Sequence, residues 1–204
     1  KNLKKSDTKK FNPFKLLTSA NFSDDIISGN WKPQKKIMKK NILIIGPGNS
    51  VFKNKKGIEK FVKKNKIYVI SLNTSSNINN KYINLRVACH PLRLMSDAYF
   101  HRNTKTDLAL PLSIISKKIY RIIKTRDKKI LDFGLSIRPT KFVNIKNNYC
   151  VLPKPLAIGY AIAIAISGKA NKIFFAGFDG YKVDDPHNDE TNEILKLIKK
   201  KYKN

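Results

Sequence analysis

The sequence predicts an α/β domain with a three-layer, Rossmann-like architecture, in which helices cover both faces of a mostly parallel sheet. Short apolar runs rich in β-branched residues are typical of strands buried on both faces, and Ile42–Ile45 is the clearest of them. Stretches with apolar residues at helical spacing separate these runs. Strands that alternate with helices form a parallel sheet covered on both sides.

The first predicted βαβ unit begins with a strand at 41–46 that ends in a glycine turn. A helix over about 51–65 follows, because apolar residues recur there at helical spacing. Its apolar face contains Val51, Ile58, Phe61 and Val62. Residues 66–73 form the second buried strand, and the polar stretch 74–81 closes it as a loop.

A short strand and two helices are predicted next. Residues 85–90 form the third strand, and Pro91 suits the first position of a helix that continues to about Phe100. Isoleucines at helical spacing predict a further helix within 107–124.

The last third of the chain contains the clearest βαβ unit. Apolar runs predict strands at 129–134 and 149–152. Small residues in the helix predicted for 155–167 allow close packing on the sheet, and Ser167-Gly168 ends it. A strand at 172–179 and a terminal helix at 190–202 complete the domain.

The 204 residues, 41% of them hydrophobic, suffice for one such domain and a tail. We place the domain at 41–204 and interpret 1–40 as a basic leader and connector, with the boundary in the Lys-rich run around Pro33. The connector packs either against this domain or against one that preceded it; the first residue is Lys rather than Met, so 1–40 could be the tail of a missing upstream domain.

The formal net charge is +28, from 42 basic and 14 acidic residues. Such a field attracts anionic ligands and is typical of nucleic-acid or membrane surfaces. Only six of the basic residues are Arg, however, and Arg supplies the bidentate contacts of base recognition. We therefore favour a compositional bias and expect no specific nucleic-acid partner.

Two further features bear on the protein's location. No apolar run is long enough to span a bilayer. Cys89 and Cys150 lie far apart in apolar runs and form no metal or redox motif. We expect both thiols to be reduced and buried, in a cytoplasmic protein.

The glycine turn after the first strand is the leading candidate for a binding site. Its residues are Gly46, Pro47, Gly48, Asn49 and Ser50. Free amides at a strand–turn–helix junction bind phosphate in many α/β proteins. The turn matches neither the dinucleotide fingerprint nor the P-loop, so a nucleotide site and a merely tight βα turn both remain open.

Ligands of open parallel sheets bind beyond the carboxyl ends of the strands. Asn73 ends the second predicted strand and either contacts the ligand or turns the chain. His90 contacts the ligand, caps a helix or is a core imidazole. Asp179, in Gly-Phe-Asp-Gly-Tyr, either accepts hydrogen bonds from a ribose or holds the turn. Asp132 and Lys154 end other strands at the same edge.

An acidic cluster, Asp184–Glu190, contains four carboxylates and His187. It could bind Mg²⁺ or act as acid and base. The alternative is an acidic helix start, which the helix dipole favours. Asp179, Asp185 and His187 are the catalytic candidates, and no residue is assigned as a metal ligand.

Two segments together resemble a known accessory domain. Asn41–Ser50 and Leu156–Asp185 are similar to the C-terminal domain that follows the TIM barrel in aldolases of the HMG-CoA lyase/4-hydroxy-2-oxovalerate aldolase type. Further matches are Leu85–Leu94, Leu131–Leu135 and Asn188–Ile194. The resemblance covers about 41–200 and implies a Rossmann-like domain that acts with an aldolase-barrel domain or subunit. The barrel's own His-x-His and Asp-Arg-Glu signatures are absent from the sequence.

The chain is more distantly similar to bacterial sialyltransferases that use CMP-sugars and to DUF115-type proteins. It shares their glycine-rich loop, the Asn after the second strand and a Gly-x-Asp-x-Tyr unit after the last. The similarity implies a nucleotide site at Gly46, Gly48, Asn49, Ser50 and Asn73. Ala157-Ile158 replace the Ser-Gly pair of those enzymes, and the only His after the unit, His187, lies closer to it than their catalytic His does.

Our first hypothesis is therefore an accessory nucleotide- or nucleotide-sugar-binding domain of an aldolase-type protein in bacterial surface-glycan or sugar-acid metabolism. The second is a stand-alone transferase, either glycosyltransferase-like with a CMP-sugar donor or pyrophosphokinase-like, with the catalytic candidates acting as acid, base or Mg²⁺ ligands. The third is a structural or assembly module, which a filled groove at the Gly46 loop would indicate.

Overall fold

The computed structural model describes residues 26–75, 77–138, 142–180 and 186–202. Its strands are β1 Asn41–Ile45, β2 Tyr68–Leu72, β3 Leu85–Val87, β4 Leu108–Leu110, β5 Ile130–Asp132, β6 Gly134–Ile137, β7 Asn144–Ile145, β8 Tyr149–Leu152 and β9 Lys172–Ala176. Six of them form one all-parallel sheet in the order β5-β4-β3-β2-β1-β9. This confirms the predicted α/β class.

Helices cover both faces of the sheet. They are α1 Gln34–Ile37, α2 Asn49–Lys53, α3 Lys55–Lys64, α4 Pro91–Ser96, α5 Ala98–Asn103, α6 Lys117–Ile123, α7 Ala157–Ser167 and α8 Pro186–Lys201. Short 3-10 turns occupy Asn80–Tyr82 and Leu112–Ile114.

The alternation of side chains along β1 shows how the three layers form. Ile42 and Ile44 pack with α7 and α8 in the largest apolar cluster, while Leu43 and Ile45 pack with α2 and α3 on the opposite face. A third cluster, on the face that carries Leu43, joins β4 to helices α4, α5 and α6. None of the helices in the described ranges is long and apolar enough to cross a membrane.

A small second sheet follows β5. It contains β6, β8 and β7 in that order, with β6 parallel and β7 antiparallel to β8. Gly134 begins β6 where the chain leaves the central sheet, and a Cβ atom there would lie 2.1 Å from the carbonyl oxygen of Ile27. The close approach of these two backbones explains the glycine.

Residues 26–40, which the sequence places in the connector, contact the α/β unit. Ile37 is fully buried in the largest cluster, and the Trp31 amide donates to the Asp132 carbonyl at 2.9 Å. The Gly29 amide donates to the Asn148 carbonyl at 3.0 Å. The connector therefore bridges the two sheets, and the domain boundary at residue 41 stays a prediction.

The structure differs from several of the predicted elements, among them the helix predicted at 91–100, which is divided into α4 and α5. Leu108–Leu110 is a strand rather than part of the region assigned to a helix, because a three-residue buried run carries no readable period. The strand predicted at 129–134 is divided between β5 and β6, which belong to different sheets. The helix predicted at 51–65 is two helices. At their junction, the side-chain amide of Asn54 donates a hydrogen bond of 2.9 Å to the Ser50 carbonyl.

Candidate functional site

The order of strands reverses its direction at β1. From β1 the chain adds β2 to β5 in sequence on one side, and β9 joins on the other side. Such a switch point leaves a crevice beyond the carboxyl ends of the strands. Three segments follow those ends, namely Gly46–Ser50 after β1, Asn73 after β2 and Gly177–Asp179 after β9. We call this region the switch-point crevice.

The glycine loop packs directly against the loop after β9. The Gly46 amide donates to the Ala176 carbonyl and the Gly48 amide to the Gly177 carbonyl, each at 2.9 Å. A Cβ atom at Gly46 would lie 2.5 Å from the Gly177 carbonyl oxygen, and one at Gly48 would lie 2.7 Å from the Asp179 carboxyl carbon. Contact between the two loops therefore explains both glycines without a ligand.

The Asp179 carboxylate binds the start of α2. It accepts a hydrogen bond of 2.7 Å from the Ser50 amide and another from the Ser50 hydroxyl. These bonds, first from the hydroxyl and then from the amide, lower the pKa of Asp179, and the positive charge of Lys53 acts in the same direction. Asp179 thus occupies the position at which the sequence predicts a phosphate.

Asn73 has an unusual backbone and an unused side-chain oxygen. Its φ of 49° lies in the left-handed region, where Asn is enriched, and its amide donates to the Val87 carbonyl at 2.8 Å. Its Oδ1 atom is buried and has no hydrogen-bond partner among the described residues. A buried acceptor without a donor is costly, so Asn73 has an unmet hydrogen bond at the edge of the crevice, and a ligand could supply the donor only after the side chain turns outwards.

The loop after β2 also contacts the glycine loop. The Asn77 side-chain amide lies 3.3 Å from the carbonyl oxygens of both Pro47 and Gly48. Asn77 thereby joins the segment that carries Asn73 to the segment that carries Ser50. The sequence analysis missed Asn77, because one of several asparagines in a polar loop carries no distinguishing signal.

His90 lies at the N-terminal end of α4, beyond the end of β3. Its carbonyl accepts from the Leu94 amide at 2.9 Å, and its imidazole makes no capping bond. Burial, followed by the charge of Arg93, lowers the pKa of this half-buried imidazole. None of the described hydrogen bonds joins His90 to the glycine loop, so its predicted ligand contact stays a prediction.

Asp132 and Lys154 have partners within the fold. The Asp132 carboxylate accepts from the Leu112 amide at 2.9 Å, which fixes the turn after β4. The Lys154 ammonium forms a 2.6 Å ion pair with Glu190 of α8. Both residues therefore connect structural elements, but the prediction that they lie at the same sheet edge is wrong, because Lys154 follows β8 of the second sheet whereas Asp132 ends β5 of the central sheet.

The acidic cluster is described only in part. Asp184 and Asp185 lie outside the described residues, as does the side chain of His187. Helix α8 begins at Pro186, four residues before the predicted start, and this places Asp189 in its first turn, where the dipole favours a carboxylate. No group of His, Cys, Asp and Glu in the described ranges could hold a metal ion. The roles predicted for Asp185 and His187 stay predictions.

The two cysteines are buried, as the sequence predicts. The Cys89 thiol lies 3.2 Å from the Pro155 carbonyl, at the turn that leads into α7. Burial raises the pKa of both Cys89 and Cys150, which leaves their thiols protonated. Protonated, buried thiols are poor nucleophiles, so neither is a candidate for covalent catalysis.

Comparison with known proteins gives one structural neighbour for this arrangement. The MAf glycosyltransferase from Magnetospirillum magneticum AMB-1 superposes on 84% of this chain with a TM-score of 0.52 and 11% sequence identity. This chain spans 28% of that glycosyltransferase chain. At this identity the likeness shows a shared fold.

The sequence comparisons are negative. No protein-family model and no curated protein matches the chain. The expected relation to the aldolase-associated domain therefore finds no support, whereas the glycosyltransferase-like alternative has a neighbour of the same fold.

Proposed function

We propose that this chain is the nucleotide-sugar-binding domain of a glycosyltransferase-like protein and that the switch-point crevice is its donor site. The observation that carries the proposal is the buried Asn73 oxygen, which lacks a donor and lies at the point where parallel sheets bind ligands. The fold shared with a glycosyltransferase supports the same class. The net charge of +28 favours the approach of an anionic donor.

In this proposal the residues of the crevice have different roles. Asn73 accepts a hydrogen bond from a ribose hydroxyl or a base amino group of the nucleotide. Asp179 already holds the Ser50 amide and hydroxyl, so a phosphate reaches these donors only by displacing the carboxylate. The glycine loop accordingly forms one wall of the nucleotide subsite, and CMP-sugars are the donors that we expect from the sialyltransferase similarity.

Calorimetry with CMP, a CMP-sugar, a UDP-sugar and ATP, each with and without Mg²⁺, tests the binding step. We expect one of these ligands to bind and Asn73→Ala to weaken its affinity about tenfold, the loss that accompanies one buried hydrogen bond. Asn65→Ala is the matched control, because Asn65 is exposed at the end of α3 and bonds only the Phe61 carbonyl. Absence of binding at millimolar concentration for all four ligands would remove the proposal.

Donor hydrolysis addresses the catalytic step. Asp179→Asn removes the candidate carboxylate that binds the glycine loop. His187→Ala removes the candidate imidazole of the acidic cluster. A loss of turnover in His187→Ala with unchanged donor affinity would assign that imidazole to the chemistry. Unchanged turnover in both variants would exclude these two groups from the chemistry, whereas absence of turnover in the parent protein would leave the chain with a binding role only.

The occupied start of α2 favours a second candidate function, a structural or assembly module. In that case Asp179 is a permanent helix cap, and no nucleotide raises the melting temperature of the protein. Asp179→Ala then lowers the melting temperature as the loss of any N-cap does. The same calorimetric series separates the two candidates.

A further inference from the structure

Arg86 is among the largest fully buried side chains of the residues that the structure describes. It projects from the middle of β3, and none of the ion pairs in the described ranges includes it. Burial lowers its pKa to about 10, so the guanidinium still carries its charge at neutral pH. Burying a charge without a counter-ion is expensive, and the sequence analysis gave no role to this residue.

Three of the hydrogen-bond partners of Arg86 belong to the segment that follows β2, and a fourth, the Ser71 hydroxyl, lies in β2 itself, 3.4 Å from Nη1. Its Nη1 atom lies 2.8 Å from the Ser75 carbonyl oxygen and 3.3 Å from that of Asn73. Its Nη2 atom lies 3.0 Å from the Asn80 side-chain oxygen. The fork of the guanidinium therefore holds both ends of the loop that follows β2.

We propose that Arg86 is the positioning residue of the switch-point crevice and that it acts through Asn73. By holding the carbonyls of Asn73 and Ser75, it fixes the left-handed turn that buries the Asn73 side-chain oxygen. The same segment presents Asn77 to the glycine loop. The part of this inference that concerns ligand binding rests on the proposed function. The part that concerns the geometry of the loop can be tested in the ligand-free protein.

The chemistry of the fork explains why an arginine occupies this position. A planar guanidinium reaches Ser75 and Asn80 with separate nitrogens, whereas a lysine ammonium is a single point charge. Arg86 also lies over the Phe100 ring, with its Cζ atom 5.1 Å from the ring centroid. The ring limits the directions in which the guanidinium can move.

Amide exchange in the ligand-free protein tests the geometry. The Asn73 amide donates to Val87 and the Ser75 amide to Leu72, so both report on the turn. We expect Arg86→Met to accelerate exchange at these two amides about tenfold, the effect of losing one or two buried hydrogen bonds. Lys128→Met is the control, because Lys128 is also a buried cation and its nitrogen has no hydrogen-bond partner. Equal exchange in Arg86→Met and the parent would overturn the proposal.

Asn80→Ala keeps the test decisive if Arg86→Met does not fold. Asn80 is exposed, and the substitution removes one partner of the fork while leaving the charge in place. We expect exchange at Asn73 and Ser75 to rise about threefold, less than in Arg86→Met, because the guanidinium keeps its bonds to both loop carbonyls and loses only an exposed partner. Unchanged exchange in this variant would equally overturn the proposal.

CMP affinity tests whether Arg86 acts through Asn73. A double-mutant cycle compares Arg86→Met, Asn73→Ala and the double variant, with Arg86→Lys as the conservative change. We expect Arg86→Met to weaken CMP binding about tenfold, Arg86→Lys to restore little of it, and Asn73→Ala to add almost nothing to Arg86→Met. Fully additive losses would show that Arg86 acts independently and would contradict the inference. If the parent protein binds no nucleotide, the proposed function fails, and the exchange measurements alone decide the positioning role.

Discussion

The two halves of the central sheet differ in whether their polar side chains are exposed and hydrogen-bonded or buried without partners. At the β1–β9 junction, the exposed Asp179 carboxylate receives two hydrogen bonds from Ser50. In the half formed by β3 to β5, His101 is fully buried and neither of its ring nitrogens has a partner among the described residues. Lys128 is almost fully buried there, and its ammonium has no hydrogen-bond partner either.

This difference indicates which half tolerates substitutions and which half has a pH-dependent stability. A polar group satisfied at the surface costs little, so the β1–β9 junction can be rebuilt with small losses except where backbones touch. Burial without partners disfavours the charged forms of such groups and shifts their pKa values, so the stability of the other half depends on pH. Arg86 of β3 pairs with Ser71 of β2 and with Leu108 of β4, so it lies on the sheet face that carries the apolar clusters around Leu43 and Leu108 and belongs to neither cluster.

The largest effect that we predict concerns His101. Burial, and then the positive charge of Lys128, lower its pKa from 6.5 to about 4, while Asp97 opposes the shift and Arg86 supports it. Between these two values the unfolded chain binds a proton and the folded chain does not. The free energy of unfolding should therefore fall as the pH drops from about 6.5 to about 4, by about 3 kcal/mol in total, and this loss should be complete below pH 4.

Denaturation of the parent and of His101→Leu across this pH range measures the effect. Leu removes the titrating group and suits the buried site, so the variant should lose much less stability on acidification. His90→Leu is the control, since His90 is only half-buried and should leave most of the pH dependence in place. Parallel pH profiles for the parent and His101→Leu would refute the prediction.

The contrast between the halves also explains how far the sequence could predict the fold. Uniformly apolar runs such as Ile42–Ile45 predict β1 and its buried position, because a parallel strand covered on both faces must be apolar throughout. Strand β4 escaped prediction because Leu108–Leu110 is too short to show a period. The predicted strand 129–134 is divided at Phe133 because the backbones of Gly29 and Gly134 approach each other closely there. These residues are far apart in the sequence, so no local sequence pattern predicts their contact.

The candidate site was predictable in its location and less so in its contacts. Glycines after β1 and an Asp after β9 suffice to indicate a switch-point crevice once the strands are known. That Asp179 would bond Ser50 depends on the register in which Ile45 pairs with Ala176, which brings the two loops together. Arg86 was overlooked because a single arginine in a strand predicts an exposed position, whereas its acceptors lie in a loop that only the fold brings near.

The second prediction concerns the backbone contact at the β1–β9 junction. Gly46→Ala places a methyl group 2.5 Å from the Gly177 carbonyl oxygen, a distance that the two loops can relieve only by separating. We expect the free energy of unfolding to fall by about 2 kcal/mol, as measured by urea denaturation. Gly57→Ala is the control in α3, because no heavy atom apart from its chain neighbours and the backbone of its own helix lies within 4 Å of its Cβ position. It should stabilise the protein by about 1 kcal/mol through helix propensity, and a neutral result for Gly46→Ala would show that the junction is looser than the structure indicates.

The smallest predicted effect concerns the pKa of Asp179, which lies below its ordinary value of 3.8 chiefly because the Ser50 hydroxyl donates to the carboxylate. Ser50→Ala removes that donor and leaves the Ser50 amide in place, so the pKa of Asp179 should rise towards 3.8 in a carbon-13 titration of the carboxyl group. Lys53→Met should raise it less, because the charge of Lys53 is a smaller cause of the shift. Since the folded-state pKa is the lower one, the contact stabilises the protein above pH 3.8 and is lost as the pH falls through the folded value. An unchanged titration in Ser50→Ala would mean that the hydroxyl bond does not persist in solution, and the start of α2 would then be open to a phosphate after all.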